Sequence, residues 1–169
     1  ALSVQIPERF GLELIDALPG DVDTWIDDEP SRDAFIDSLR WRSNDAFTER
    51  TREIYGFILE YDEDYFEILI QVSACAGHPW NAAALHQSLS KLTMPQRDAF
   101  WTRKANALAI DEESVTLRLI NWCAFEQNEH TSSDIQYLCA LTMAWLTACT
   151  YREIRDKATK ALSSLMRHN

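Results

Sequence analysis

The stretch Glu153-Ile154-Arg155-Asp156-Lys157-Ala158-Thr159-Lys160-Ala161-Leu162-Ser163-Ser164-Leu165 decides the fold class. Its apolar side chains Ile154, Ala158, Ala161, Leu162 and Leu165 fall on one stripe of a 3.6-residue helix. Charged and hydroxyl side chains take the other face. The two alanines on the stripe let a neighbouring helix approach closely. Immediately upstream, Thr150-Tyr151-Arg152-Glu153 has the spacing of a capping box that opens the helix.

Working outward, the same period recurs. Ile135, Leu138, Cys139, Leu141, Trp145 and Leu146 make the preceding helix apolar on nearly every side, which predicts burial between neighbours, with Ser132 or Ser133 at its start. Asp111-Glu112-Glu113 places negative charge at the positive end of the helix before that. Thr93-Met94-Pro95-Gln96 reads as a second capping box, in which the Thr93 oxygen takes the Gln96 amide and the Gln96 side chain reaches back to the Thr93 amide. It opens a helix carrying Phe100 and Trp101. Asn81 caps a helix with Leu85, Leu89 and Leu92 aligned, and Asp62 opens one that runs through Tyr65, Ile68, Leu69 and Val72 to Gly77-His78-Pro79. Thr48 caps the stripe Ile54, Phe57, Ile58 and Tyr61, and a helix from Pro30 turns Phe35, Ile36 and Leu39 inward. The first helix follows Pro7, with Phe10, Leu14, Ala17 and Leu18 inward and Leu18-Pro19-Gly20 as its stop.

The reading is all-α, with about nine helices and no strand-like alternation. Short links make consecutive helices antiparallel neighbours. The units Pro7–Arg42, Thr48–Gly77, Asn81–Ala107 and Asp111–Cys149 suit a HEAT- or armadillo-like right-handed superhelix, an α-solenoid, with an irregular helical bundle as the other arrangement. Residues 1–169 are expected to form a single helical-repeat domain, cut from a longer protein, since the chain starts without Met and stops just after a repeat-like helix.

Composition narrows the function. Only 4 of 169 residues are glycine, and neither a GxGxxG nor a GxxxxGK[ST] motif occurs, so no Rossmann or P-loop nucleotide site is expected. Residues 1–67 hold 18 acidic side chains against 6 arginines, a net of −12, whereas residues 68–169 hold 9 acidic and 10 basic ones. The acidic half opposes binding to a phosphate backbone, so nucleic acid is not expected as a partner. Cys75, Cys123, Cys139 and Cys149 form no CxxC and lie in apolar stretches, so all four are expected to be buried and reduced. No signal layout opens the chain, and its two long uncharged runs, Ile68 to Ser90 and Ile135 to Tyr151, do not make membrane spans. A cytoplasmic location is the expectation.

No residue stands out as catalytic, cofactor-binding or metal-binding. His78 and His86 lack the i, i+4 spacing that zinc takes on a helix, so His78 is read as a loop residue whose ring bonds nearby backbone. His130 and His168 stand alone. The pairs Asp27-Asp28 and Asp62-Glu63-Asp64 sit at helix starts, where the dipole explains them. No serine lies in GxSxG or SxxK. Six tryptophans (Trp25, Trp41, Trp80, Trp101, Trp122, Trp145) are read mainly as packing between helices, with Trp25 and Trp80, near loops, as candidates for a protein-binding surface.

Two resemblances add to this reading. Helix 153–165, with its aliphatic-Arg pair Ile154-Arg155, Ala158 and then Ala161-Leu162 and Leu165, resembles the second helix of a HEAT repeat. The stretch Arg155 to Leu162, with His78-Pro79-Trp80-Asn81 and Met94-Pro95-Gln96-Arg97-Asp98-Ala99-Phe100-Trp101, resembles the helical region downstream of the ATPase core in large bacterial and archaeal STAND NTPases, the NACHT-type proteins of antiviral defence. This likeness runs from about Pro7 to Leu165. The chain departs from it at Ala148-Cys149-Thr150-Tyr151, where those proteins tend to carry Ser-Ser-Asn-Arg. The resemblance implies a non-enzymatic segment that links domains or senses a foreign, phage-derived protein, with the other domains of the same polypeptide as partners and no cofactor. The alternatives are an independent HEAT-like protein-binding scaffold and a HEAT-like DNA-repair glycosylase. The glycosylase needs a basic concave face, which the −12 half opposes.

Overall fold

The computed structural model describes residues 24, 27–42, 47–61, 66–108, 114–126 and 131–167. Among these residues every regular element is helical: α1 (Glu29–Ser38), α2 (Glu49–Tyr61), α3 (Glu67–Gln71), α4 (Ala82–Ser90), α5 (Met94–Ala107), α6 (Val115–Asn121), a π-helical turn (Trp122–Glu126), α7 (Ser133–Leu146) and α8 (Arg152–Arg167). The expected helix around Phe10 to Leu18, the acidic starts at Asp62 and Asp111–Glu113, and Trp25, His130 and His168 lie outside the described residues.

The chain falls into two compact units, Ala1–Ile68 and Leu69–Asn169. In the first, Asp28 caps α1 by accepting from the Ser31 amide at 3.1 Å, and Pro30 occupies the first turn, where its missing N–H costs nothing. The Thr48 hydroxyl takes the Thr51 amide at 3.2 Å, as the sequence pattern predicts for the start of α2. The two helices are tied by Arg42. Its Nε donates to Ser38 Oγ (2.9 Å) and one terminal nitrogen to Thr51 Oγ1 (3.2 Å), while its guanidinium lies 5.4 Å from the Phe35 ring centre. Phe35, Ile36, Leu39, Ile54, Tyr55 and Ile58 are buried in this part of the chain.

The second unit is organised around α8. Ile154, Ala158, Ala161 and Leu165 are all 2% exposed or less, so the stripe read from sequence is the buried face; Leu162 sits half-buried at its edge. That face packs on α6, on the π-helical turn and on α7, which also packs on α4. Helix α5 joins through Trp101, whose indole N–H donates to the Trp145 carbonyl at 2.8 Å. Helix starts follow the expected chemistry: Asn81 Oδ1 accepts from Ala83 and Ala84, Ser114 Oγ from Leu117, and Ser132 Oγ from Ile135.

Several expectations change. The helix ending at Gly77 stops instead at Gln71, because the Ser73 hydroxyl bonds the Ile70 carbonyl (2.8 Å) and the chain continues in tight turns to Asn81. Gly77 takes φ 78°, the left-handed region that suits glycine. Leu92 lies beyond the end of α4 and is exposed rather than aligned with Leu89. Half of the Thr93 box forms as expected, with Gln96 Oε1 accepting from the Thr93 amide (3.2 Å), while the Thr93 hydroxyl donates to the same oxygen (2.7 Å). Helix α7 is not covered all round, since Tyr137 and Ala144 face solvent. Cys123, Cys139 and Cys149 are buried, but Cys75 is exposed in the turns after α3; all four are free thiols.

Two outcomes test this packing. Ala158→Leu should overfill the seam and lower stability by about 1–3 kcal/mol, read by thermal melting. Thr116 is wholly buried on α6, and its hydroxyl has no hydrogen-bond partner among the described residues. Thr116→Val removes that desolvated oxygen at similar volume, so chemical denaturation should show an unchanged or raised stability, by up to about 1 kcal/mol.

Candidate functional site

One open groove of the second unit is built where α6 loosens. Ser114 starts α6 and Thr116, Leu117 and Ile120 bury its inner face, leaving Val115 and Leu119 half-exposed and Arg118 outward. At Trp122 the helix widens into a π turn, a distortion often found where helices carry function. Cys123 remains wholly buried. Its pairing with the Cys139 thiol of α7, together with burial, raises the Cys123 pKa, and the same pairing lowers that of Cys139 against the opposing effect of burial. The next residue turns to α8, where Ser164 Oγ donates to the Ala124 carbonyl at 3.1 Å. Phe125 is then carried into solvent at 83% exposure.

Along this edge runs an open groove of about 470 Å³. Ile70, Val115, Leu119 and Trp122 make its apolar wall, and Gln71 and Asn121 bring amides to it. Arg118 and Glu126 also line it. Both are exposed, and neither takes part in an ion pair among the described residues. The groove therefore offers one cation, one anion, two amides and an aliphatic–aromatic wall. These groups can make hydrogen bonds, ion pairs and apolar contacts with a ligand. A smaller depression of about 270 Å³ lies on the outer face of α8 beside Lys160, Ser163 and Arg167. Arg167 there lies in the last turn, where the helix dipole favours a cation.

Apart from Trp122, the described residues singled out in the sequence lie outside this groove. His78 is buried, and its Nδ1 accepts from the Trp80 amide at 3.1 Å, as expected of a loop histidine. His86 is exposed on α4, its ring 5.9 Å from that of Trp145. Among the described residues no three His, Cys, Asp or Glu side chains are placed to hold a metal ion. The tryptophans divide as their helices dictate. Trp101 is buried, 5.7 Å from Trp145, which also carries the Arg97 guanidinium at 5.9 Å from its ring centre. Trp80 is half-buried and tilted against His78, while Trp41 is 54% exposed. Sequence reasoning missed the groove residues Arg118 and Glu126 and the exposure of Phe125, and it read Trp122, which lines the groove, as packing between helices. Their apolar period continues through the widened turn, and a π turn leaves no mark in that period.

Among the described residues no helix is long and apolar enough to cross a membrane. The chain matches no family model, no curated protein and no solved structure.

The link that holds the widened turn to α8 can be measured. Ser164→Ala leaves the Ala124 carbonyl without its side-chain donor and should lower stability by about 1 kcal/mol in urea denaturation. Ser163→Ala, which removes only an exposed hydroxyl bonded to the Thr159 carbonyl of its own helix, should cost clearly less.

Proposed function

We propose that the chain is a non-enzymatic, HEAT-like helical-repeat segment that senses a protein, or links the domains that do, within a larger prokaryotic defence NTPase of the NACHT type. The observation that carries the binding role is the open groove along α6 and the π-helical turn, with an apolar wall, two charges that form no ion pair among the described residues, and Phe125 exposed on the same turn. Partner-binding sites combine an exposed apolar anchor with polar groups at the rim in this way. The stacking of α7 on α8, with two alanines in the buried face, is compatible with repeat packing. The defence setting rests on the resemblance of the stretches 78–81, 94–101 and 155–162 described above.

The test has two arms. The purified chain should turn over no ATP. In the native gene, Leu119→Arg, which places a charge in the apolar wall, should abolish protection against phage without lowering protein abundance. Turnover of ATP by the purified chain, or unchanged protection with Leu119→Arg, overturns the proposal.

A further inference from the structure

Two of the four free thiols are brought together in the interior of the second unit. Cys123, in the π-helical turn, and Cys139, on α7, are both 0% exposed, although sixteen residues of sequence separate them. Both elements pack on α8, where Ala158 and Ala161 are wholly buried as well. The two side chains hydrogen-bond each other, with Cys123 as donor and the Cys139 sulfur as acceptor. Neither lines the groove. The other cysteines are placed differently: Cys75 is exposed in the turns after α3, and Cys149 Sγ accepts from the Tyr151 amide at 3.4 Å.

We propose that Cys123 and Cys139 form a redox-sensitive latch, in which a peroxide joins the two sulfurs and ties the π-helical turn covalently to α7. The reaction balances with hydrogen peroxide as the oxidant. The Cys139 thiolate attacks one peroxide oxygen and the O–O bond breaks. The departing hydroxide takes up the proton that Cys139 released, giving water and a sulfenic acid on Cys139. The Cys123 sulfur then attacks the Cys139 sulfur, and the expelled hydroxide leaves with the Cys123 proton as a second water. Two thiols are oxidised to one disulfide, and one peroxide is reduced.

The hydrogen bond from Cys123 favours loss of the Cys139 proton against the opposing effect of burial, which makes Cys139 the attacking sulfur. Burial of both thiols restricts the oxidant to a small uncharged molecule, admitted when the turn opens locally. Cross-linking a loop of about 15 residues removes much of the freedom of its open states. Residues 122–126 therefore open less often in the oxidised chain. The inference holds whatever the groove binds.

The test uses the full chain carrying Cys75→Ser, which removes the exposed thiol and with it links between molecules. The folded protein is treated with hydrogen peroxide, quenched with catalase and unfolded in N-ethylmaleimide. Cleavage after glutamate then separates the two cysteines at Glu126. We expect a cross-linked peptide that has lost the mass of two hydrogens and joins Cys123 to Cys139, with Cys149 alkylated. Amide hydrogen exchange across 122–126 should slow about tenfold or more on oxidation and recover in dithiothreitol. Cys139→Ala, treated alike, should leave Cys123 uncross-linked. Both thiols recovered alkylated from the peroxide-treated folded chain, a link from either one to Cys149, or exchange across 122–126 unchanged by the cross-link would each overturn the inference.

Discussion

The second unit depends on how closely α8 can be approached. Ala158 and Ala161 are both wholly buried, so no long side chain keeps α6, the π-helical turn or α7 away from its backbone. Close packing of this kind has little slack: an added methylene must displace a neighbour rather than fill a void. The outer face of the same helix contributes much less. Its pairs Lys157 with Glu153 and Arg152 with Asp156 are solvent-exposed, and such pairs add a few tenths of a kcal/mol each, roughly, to an isolated helix. The buried seam fixes the position of α8; the ion pairs keep its outside soluble.

From that seam the groove follows. The π turn needs outside support, since i→i+5 geometry is rare and short-lived in isolated helices. Here Cys123 is locked into the interior beside Cys139, and Ser164 reaches out from α8 to the Ala124 carbonyl. With those two residues held inward, Phe125 is forced outward and Trp122 and Glu126 come to line the groove. A second centre, around Trp145, holds the other side of the unit. Its carbonyl takes the Trp101 indole N–H, and its ring lies within 6 Å of those of His86 and Trp101, with Arg97 over its face. Two of the six tryptophans, Trp101 and Trp145, are explained there by joining α4, α5 and α7, with tilted rings in the range that stabilises aromatic pairs.

The two charge regimes of the chain acquire a structural meaning. The acidic excess belongs to residues 1–67, whereas the groove is lined by residues of the nearly neutral remainder. In the first unit the buried guanidinium of Arg42 shows a different use of charge. It is held by the hydroxyls of Ser38 and Thr51 and lies over the Phe35 ring, so hydrogen bonds and an aromatic face offset its loss of water.

What the sequence determined by itself was local. Periodicity gave the helices and the inward face of α8, and side-chain caps at Thr48, Asn81 and Ser132 marked starts that the structure bears out, because each of these needs only residues within about one turn. The nitrogen of His78 meeting backbone two residues away was legible for the same reason. What tertiary structure decided was non-local. The early end of α3, the exposure of Cys75, the π turn at 122–126 and the groove beside it depend on which carbonyls find outside donors and which faces find neighbours. Ser164 meeting Ala124, 40 residues back, and Trp101 meeting Trp145, 44 residues on, are such cases. A hydrophobic period tells a residue to face some interior; only the packed neighbours determine which one, and which residues are left outside to bind.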